Sequence, residues 1–80
     1  MSANLTGLAK ELAQSLVDFP EDVVVVASGD SEYVKLELEV AEDDLGRVIG
    51  RSGRTARALR TILSAAADKD GRRCSLEIVE

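Results

Sequence analysis

Eighty residues, 45% hydrophobic and 31% charged, make at most one folded domain with a modest core. Fifteen acidic against ten basic side chains give a net charge of −5, which taken alone argues against a polyanionic partner. A single cysteine excludes an internal disulfide, and the lack of histidine removes the commonest general base and His-based metal ligation. No apolar run approaches the ~20 residues that span a bilayer. The opening stretch, MSANLTGLAKELAQSL, lacks a basic start followed by an unbroken apolar segment, so no secretory signal is expected. With one unpaired Cys74, the expected setting is the reducing cytoplasm.

Asn4 is placed to cap a first helix, in which Leu5, Leu8, Ala9, Leu12 and Leu16 recur at helical spacing. Pro20 should end that helix near Asp18. Val23-Val24-Val25-Val26-Ala27 is short and mostly β-branched and reads as a strand, followed by a turn at Ser28-Gly29-Asp30-Ser31. Residues 33–40 alternate strictly, with Val34, Leu36, Leu38 and Val40 on one face and Lys35, Glu37 and Glu39 on the other. That is a strand with one wet face, and the two runs together suggest a hairpin.

Glu42, Asp43 and Asp44 open a short helix at the end where carboxylates suit the dipole; Leu45, Val48 and Ile49 form its inner face, and Gly50 ends it. A longer helix runs from about Gly53 to Ala67 with a core stripe of Ala56, Leu59, Ile62, Leu63 and Ala66. Asp68-Lys69-Asp70-Gly71 is a turn, and residues 73–79 alternate as a last strand with Cys74, Leu76 and Ile78 inward. The order is α-β-β-α-α-β, an α+β domain with three helices on one face of a three-stranded mixed sheet. The last strand follows a helical crossover, so it should lie parallel to the strand at 33–40.

The charge is not evenly spread. Residues 46–60 hold Arg47, Arg51, Arg54, Arg57 and Arg60 and no acid, while the rest of the chain carries a net −10. Within that stretch Gly50-Arg51-Ser52-Gly53 stands between the two helices. Glycine has no Cβ, so such a loop lets bare backbone approach a phosphate chain, and the helix that follows directs free N–H groups the same way. Arginine adds a planar fork of donors matched to phosphate oxygens. The expected phosphate contacts are the backbone of Gly50 and Gly53, the N–H groups of Ser52 and Gly53, the Ser52 hydroxyl, and Arg51 flanked by Arg47, Arg54 and Arg57. Val48 and Ile49 are the candidate apolar contacts to base faces, although such residues are by default core. With Phe19 and Tyr33 as the only aromatics, no stacking platform is available.

The segment Asp44-Leu45-Gly46-Arg47-Val48-Ile49-Gly50-Arg51-Ser52-Gly53-Arg54-Thr55, in this order of elements, resembles the type II (bacterial) KH domain, and in particular the small single-domain bacterial KH proteins of the KhpA type. The resemblance covers almost the whole chain and implies one KH domain over residues 1–80. It further implies a groove for about four nucleotides of single-stranded RNA, without strict sequence readout, as in an RNA chaperone or post-transcriptional regulator. It implies a weak homodimer and pairing with a larger KhpB-type KH protein, with no cofactor. The chain departs from the family where KH domains usually carry isoleucine and it has Ala56, which implies a shallower floor. The acidic loop Asp30–Glu32 is expected near the groove if it is the family's variable loop.

Other classes explain less of the pattern. A KH-fold interaction or dimerisation module with weak or no RNA binding suits the overall acidity but not the arginine cluster. A helix-turn-helix reader of duplex DNA suits a glycine turn but not the flanking strands. An enzyme lacks a nucleophile–base pair: Glu37 and Glu39 share a strand face, but no histidine or metal-ligand cluster accompanies them. Arg60 reads as a surface charge or the partner of an acid, and Cys74 as a small core residue.

Overall fold

In the computed structural model, which describes residues 4–80, Asn4 caps helix α1 (Leu5–Leu16), its side-chain oxygen accepting the Gly7 N–H at 2.9 Å. Residues 1–3, part of the stretch read above for a secretory signal, lie outside the described residues. The helix buries Leu5, Ala9 and Ala13, a strip at i, i+4, with Leu8 and Leu12 half-buried beside it. Leu16, expected in the strip, is exposed. The helix stops there, short of the expected Asp18, because the N–H groups of Asp18 and Phe19 turn to the carboxylate of Asp44. Pro20 then opens a 3₁₀ turn, Pro20–Asp22.

Strand β1 (Val24–Gly29) begins one residue after the buried Val23 and runs past Ala27, so the following turn is narrower than expected. Asp30 sets that turn. Its Oδ1 accepts the N–H groups of Glu32 at 2.8 Å and Tyr33 at 2.9 Å. The Tyr33 and Glu32 N–H groups hold its carboxyl below its ordinary value. Strand β2 (Tyr33–Glu39) buries Val34, Leu36 and Leu38, as its alternation requires. Strand β3 (Arg73–Ile78) completes a sheet of order β1-β2-β3. β1 pairs antiparallel with β2, Val26 opposite Glu37, and β3 pairs parallel with it, Leu36 opposite Leu76.

The crossover from β2 to β3 is a short helix α2 (Leu45–Ile49) and a long one, α3 (Arg54–Lys69). Residues of all three helices meet Val34, Leu36, Leu38 and Leu76 in one core, so the helices share one face of the sheet. Leu36, Leu38, Val48 and Leu63 are fully buried. At about 1.5–3 kcal/mol for each such aliphatic side chain, they hold α2 and α3 to the sheet. The stripe on α3 is Ala56, Leu59, Leu63 and Ala67. Ile62, expected inside, is 44% exposed. The run of apolar residues on α3 covers a wider arc than the sheet and α1 can bury, and Ile62 lies on its α1 edge. Cys74 points inward as expected, and burial pushes its thiol up. No helix among the described residues is long and apolar enough to cross a membrane.

Candidate nucleic-acid interface

The site begins with an acid that the sequence hides among three. Glu42, Asp43 and Asp44 form a 3₁₀ turn ahead of α2, yet only Asp44 turns inward, 1% exposed. Its two oxygens accept the Asp18 and Phe19 N–H groups at 3.0 Å each, tying the end of α1 to the start of α2. Arg47, one turn on, closes the same junction: its Nη2 lies 3.0 Å from Asp18 and its Nε 3.7 Å from Asp44. The Arg47 charge is therefore already partnered. Val48 drops into the core, 0% exposed, which corrects its reading as a base contact: α2 is only five residues long and needs Val48 as its anchor. Ile49 is half-buried beside the loop and keeps an accessible edge.

Gly50 ends α2, donating its N–H to the Gly46 carbonyl at 2.8 Å. Its backbone sits at φ 76°, ψ 170°, a region almost closed to other residues, and a Cβ there would meet Thr55 Oγ1 at 2.3 Å. Gly53, at φ 73°, ψ 16°, is left-handed too, but the space beside its Cα is open. Gly50 is thus needed for the fold of the loop, and Gly53 leaves a bare surface over which a chain can pass. Between them Ser52 is left-handed as well, at φ 56°, ψ 25°, the one described non-glycine residue with positive φ.

The loop closes on itself. Gly53 N–H donates to the Gly50 carbonyl at 3.1 Å, and Arg54 N–H to the Arg51 carbonyl. This corrects one expectation: the Gly53 N–H is used inside the loop. The bonds that close the loop leave out the N–H groups of Arg51 and Ser52, which sit on its exposed tip. The carbonyl of Ser52 is held by Arg57, whose Nη2 donates to it at 2.8 Å.

Arg51, Arg54, Arg57 and Arg60 are all exposed, and among the described residues none of them has a carboxylate within 4.0 Å. The strip is therefore an uncompensated positive surface. Arg60 does not pair with an acid: its Nε donates to the Leu76 carbonyl at 3.1 Å, on the free edge of β3. Nothing in the sequence pointed to that bond, because a backbone carbonyl leaves no residue signature. Ala56 lies behind the loop as a core residue, 4% exposed. The acidic turn Asp30–Glu32 is not near the loop. It packs on the start of β3, where Arg73 N–H meets the Glu32 carbonyl, at the end of the sheet where α3 finishes. At about 1.5 Å per residue, the sixteen residues of α3 put roughly 24 Å between the two. No group of three or more metal-ligating side chains occurs among the described residues.

The family of KhpA/KhpB KH domains matches residues 6–78 of the chain. The chain belongs to this family. Proteins named "RNA-binding protein KhpA" are similar along nearly their full length. That of Halalkalibacterium halodurans is 47% identical over 73 residues, 91% of this chain and 96% of that one. That of Leifsonia xyli subsp. xyli is 51% identical over 69 residues, 86% of this chain and 88% of that one. The Clostridium acetobutylicum protein is 44% identical over 72 residues, 90% and 96%. Among solved structures, Era bound to MgGDPNP and nucleotides 1506–1542 of 16S ribosomal RNA is similar, with a TM-score of 0.69 at 21% identity. A variant of Aquifex aeolicus Era bound to GDP.AlF4- gives a TM-score of 0.68, also at 21% identity. Both alignments cover 92% of this chain but only 28% and 29% of the Era chains, and they establish the KH fold alone.

Proposed function

We propose that this chain is a non-enzymatic RNA-binding protein that holds single-stranded RNA against the Gly50–Gly53 loop. One observation carries the site: a self-closed, exposed glycine loop stands at the head of four arginines that no carboxylate among the described residues neutralises. The sugar-phosphate chain crosses Gly53, where the backbone is bare. Phosphates take the N–H groups of Arg51 and Ser52, the Ser52 hydroxyl, and the guanidinium groups of Arg51 and Arg54. Ile49 supplies apolar contact to a base, and Arg47 and Gly50 hold the loop on α2. The deciding experiment is titration of a short single-stranded RNA against wild type and an Arg51→Asp, Ser52→Asp variant. Wild-type affinity in the folded variant refutes the site.

The same reading includes a weak homodimer, pairing with a larger KhpB-type protein, and a place in the cytoplasm. A groove of about four nucleotides grips RNA weakly, and a second groove raises avidity through effective concentration. The surface that favours association is a shallow apolar cleft of ≈180 Å³ between α1 and α3, lined by Leu12, Leu16, Thr55, Ala58, Leu59 and Ile62. A second copy of the chain fits it better than it fits the β1 edge. Antiparallel pairing of two β1 strands sets Glu21 and Asp22 of one copy against Asp30 of the other, acid against acid.

A further inference from the structure

We infer that Arg57 is a positioning residue, which acts on RNA through the shape of the loop rather than by touching a phosphate. This rests on the loop being the RNA site.

The argument starts from Ser52. A left-handed conformation is unfavourable for any residue with a Cβ and persists only where its surroundings over-determine it. Two of the surrounding bonds, Gly53 N–H to Gly50 and Arg54 N–H to Arg51, fix the backbone on either side. Neither touches the Ser52 carbonyl. That carbonyl belongs to the same peptide unit as the Gly53 N–H, so the unit is pinned at both ends only when Arg57 Nη2 holds its oxygen at 2.8 Å. Without Arg57 the unit is held by the Gly53 N–H alone. Ser52 then returns to a right-handed or extended conformation, and the N–H groups of Arg51 and Ser52 lose their common direction.

The helix makes the contact possible. Arg57 is the fourth residue of α3, at the end of its first turn, and its long side chain runs back toward the helix N-terminus, the direction that helical side chains prefer. Its main-chain carbonyl is engaged as well, accepting the Thr61 hydroxyl at 2.9 Å. Arg51 and Arg54 have no such bond to the loop and remain free to meet phosphates.

A phosphate contact and a positioning contact differ in salt dependence. Each phosphate neutralised on a single strand contributes about 0.7 to the slope of log K against log salt. Arg57→Ala, Arg57→Lys and Arg54→Ala are compared with wild type, with folding checked by circular dichroism. Two readouts are taken: amide hydrogen exchange and ¹H–¹⁵N shifts of Ser52, Gly53 and Arg54 in the RNA-free protein, and RNA affinity across a salt series. Arg57→Ala is expected to speed exchange at Ser52 and Gly53 and to weaken binding about tenfold with its slope unchanged, the scale of one charge-assisted bond. Arg57→Lys keeps the charge but loses the fork and the reach, and is expected to loosen the loop likewise. Arg54→Ala is expected to leave the loop amides alone and to flatten the slope by about 0.7. A slope flattened by Arg57→Ala with unmoved loop amides overturns the proposal, as does wild-type behaviour of Arg57→Lys in both readouts. If wild type shows no salt-dependent RNA binding, the loop's assignment as the RNA site is what fails, while the amide readout still decides whether Arg57 sets the loop.

Discussion

Arg47 Nη2 lies 3.0 Å from Asp18 Oδ2, so the helix that leads into the glycine loop is clamped to the end of α1. Asp44 forms the buried half of that clamp with two backbone bonds at 3.0 Å. Asp44→Ala is expected to destabilise the domain by about 2–3 kcal/mol, because it takes the charged, buried acceptor from two N–H groups at a part-buried junction. Arg47→Ala leaves those bonds in place and breaks a half-exposed pair with Asp18 and a longer, 3.7 Å contact to the buried Asp44, so its expected cost is smaller, about 1 kcal/mol. Urea denaturation of the two variants checks the ordering, which is reversed if the surface pair is what matters.

The two loop glycines should not respond alike. Gly50→Ala combines a forbidden backbone region with a 2.3 Å encounter with Thr55. The expected loss is about 3 kcal/mol, together with RNA affinity. Gly53→Ala meets open space and carries only the left-handed penalty, about 1 kcal/mol. Thermal denaturation of both variants reads the difference, and equal losses contradict the loop geometry.

Binding of a short single-stranded RNA should weaken with salt. Two or three phosphates held by the loop and by Arg51 and Arg54 give a log–log slope of about −1.4 to −2.1. Arg51→Asp with Ser52→Asp should abolish binding and keep the fold, since both side chains are exposed and aspartate tolerates the left-handed region. Filter binding over a salt series measures the slope, and a value near zero with binding intact removes the electrostatic argument.

Self-association and RNA binding should be independent. Ile62 lies on the α1 side of α3, eight residues and about 12 Å along the axis from Arg54, whereas the phosphate contacts Arg51 and Arg54 stand at the loop end. Ile62→Glu is therefore expected to push any dimer to monomer while RNA affinity per groove is unchanged. Sedimentation equilibrium with and without RNA tests this. A wild type that is monomeric at every concentration rules out the homodimer, and a dimer that dissociates on adding RNA places the contact elsewhere.

How much of this was legible in the chain depends on the kind of signal. Period-two alternation at 33–40 led directly to β2 and its buried Val34, Leu36 and Leu38, and a crossover of two helices required β3 to run parallel. The family motif brought the glycine loop to its place between α2 and α3. Ile62 against Ala67 was not legible, because both lie within the apolar arc of α3, and only the packing of α1 decides which is covered. Asp44 was hidden because three adjacent acids look alike until one of them meets two N–H groups from a distant turn. The bonds from Arg57 and Arg60 to carbonyls were hidden for a different reason: every residue has a carbonyl, so no pattern of side chains reveals which one an arginine will find.

The bond from Arg60 to the Leu76 carbonyl bears on solubility as much as on any ligand. β3 is an outer strand of a small sheet, and an outer strand with free carbonyls is a template on which another chain can add. Here a charged side chain lies across the middle of that template and occupies one of its acceptors. An incoming strand must displace a guanidinium and bury its charge before it can pair. One hydrogen bond from a charged side chain thereby sets a barrier to strand addition at the middle of this border of the sheet.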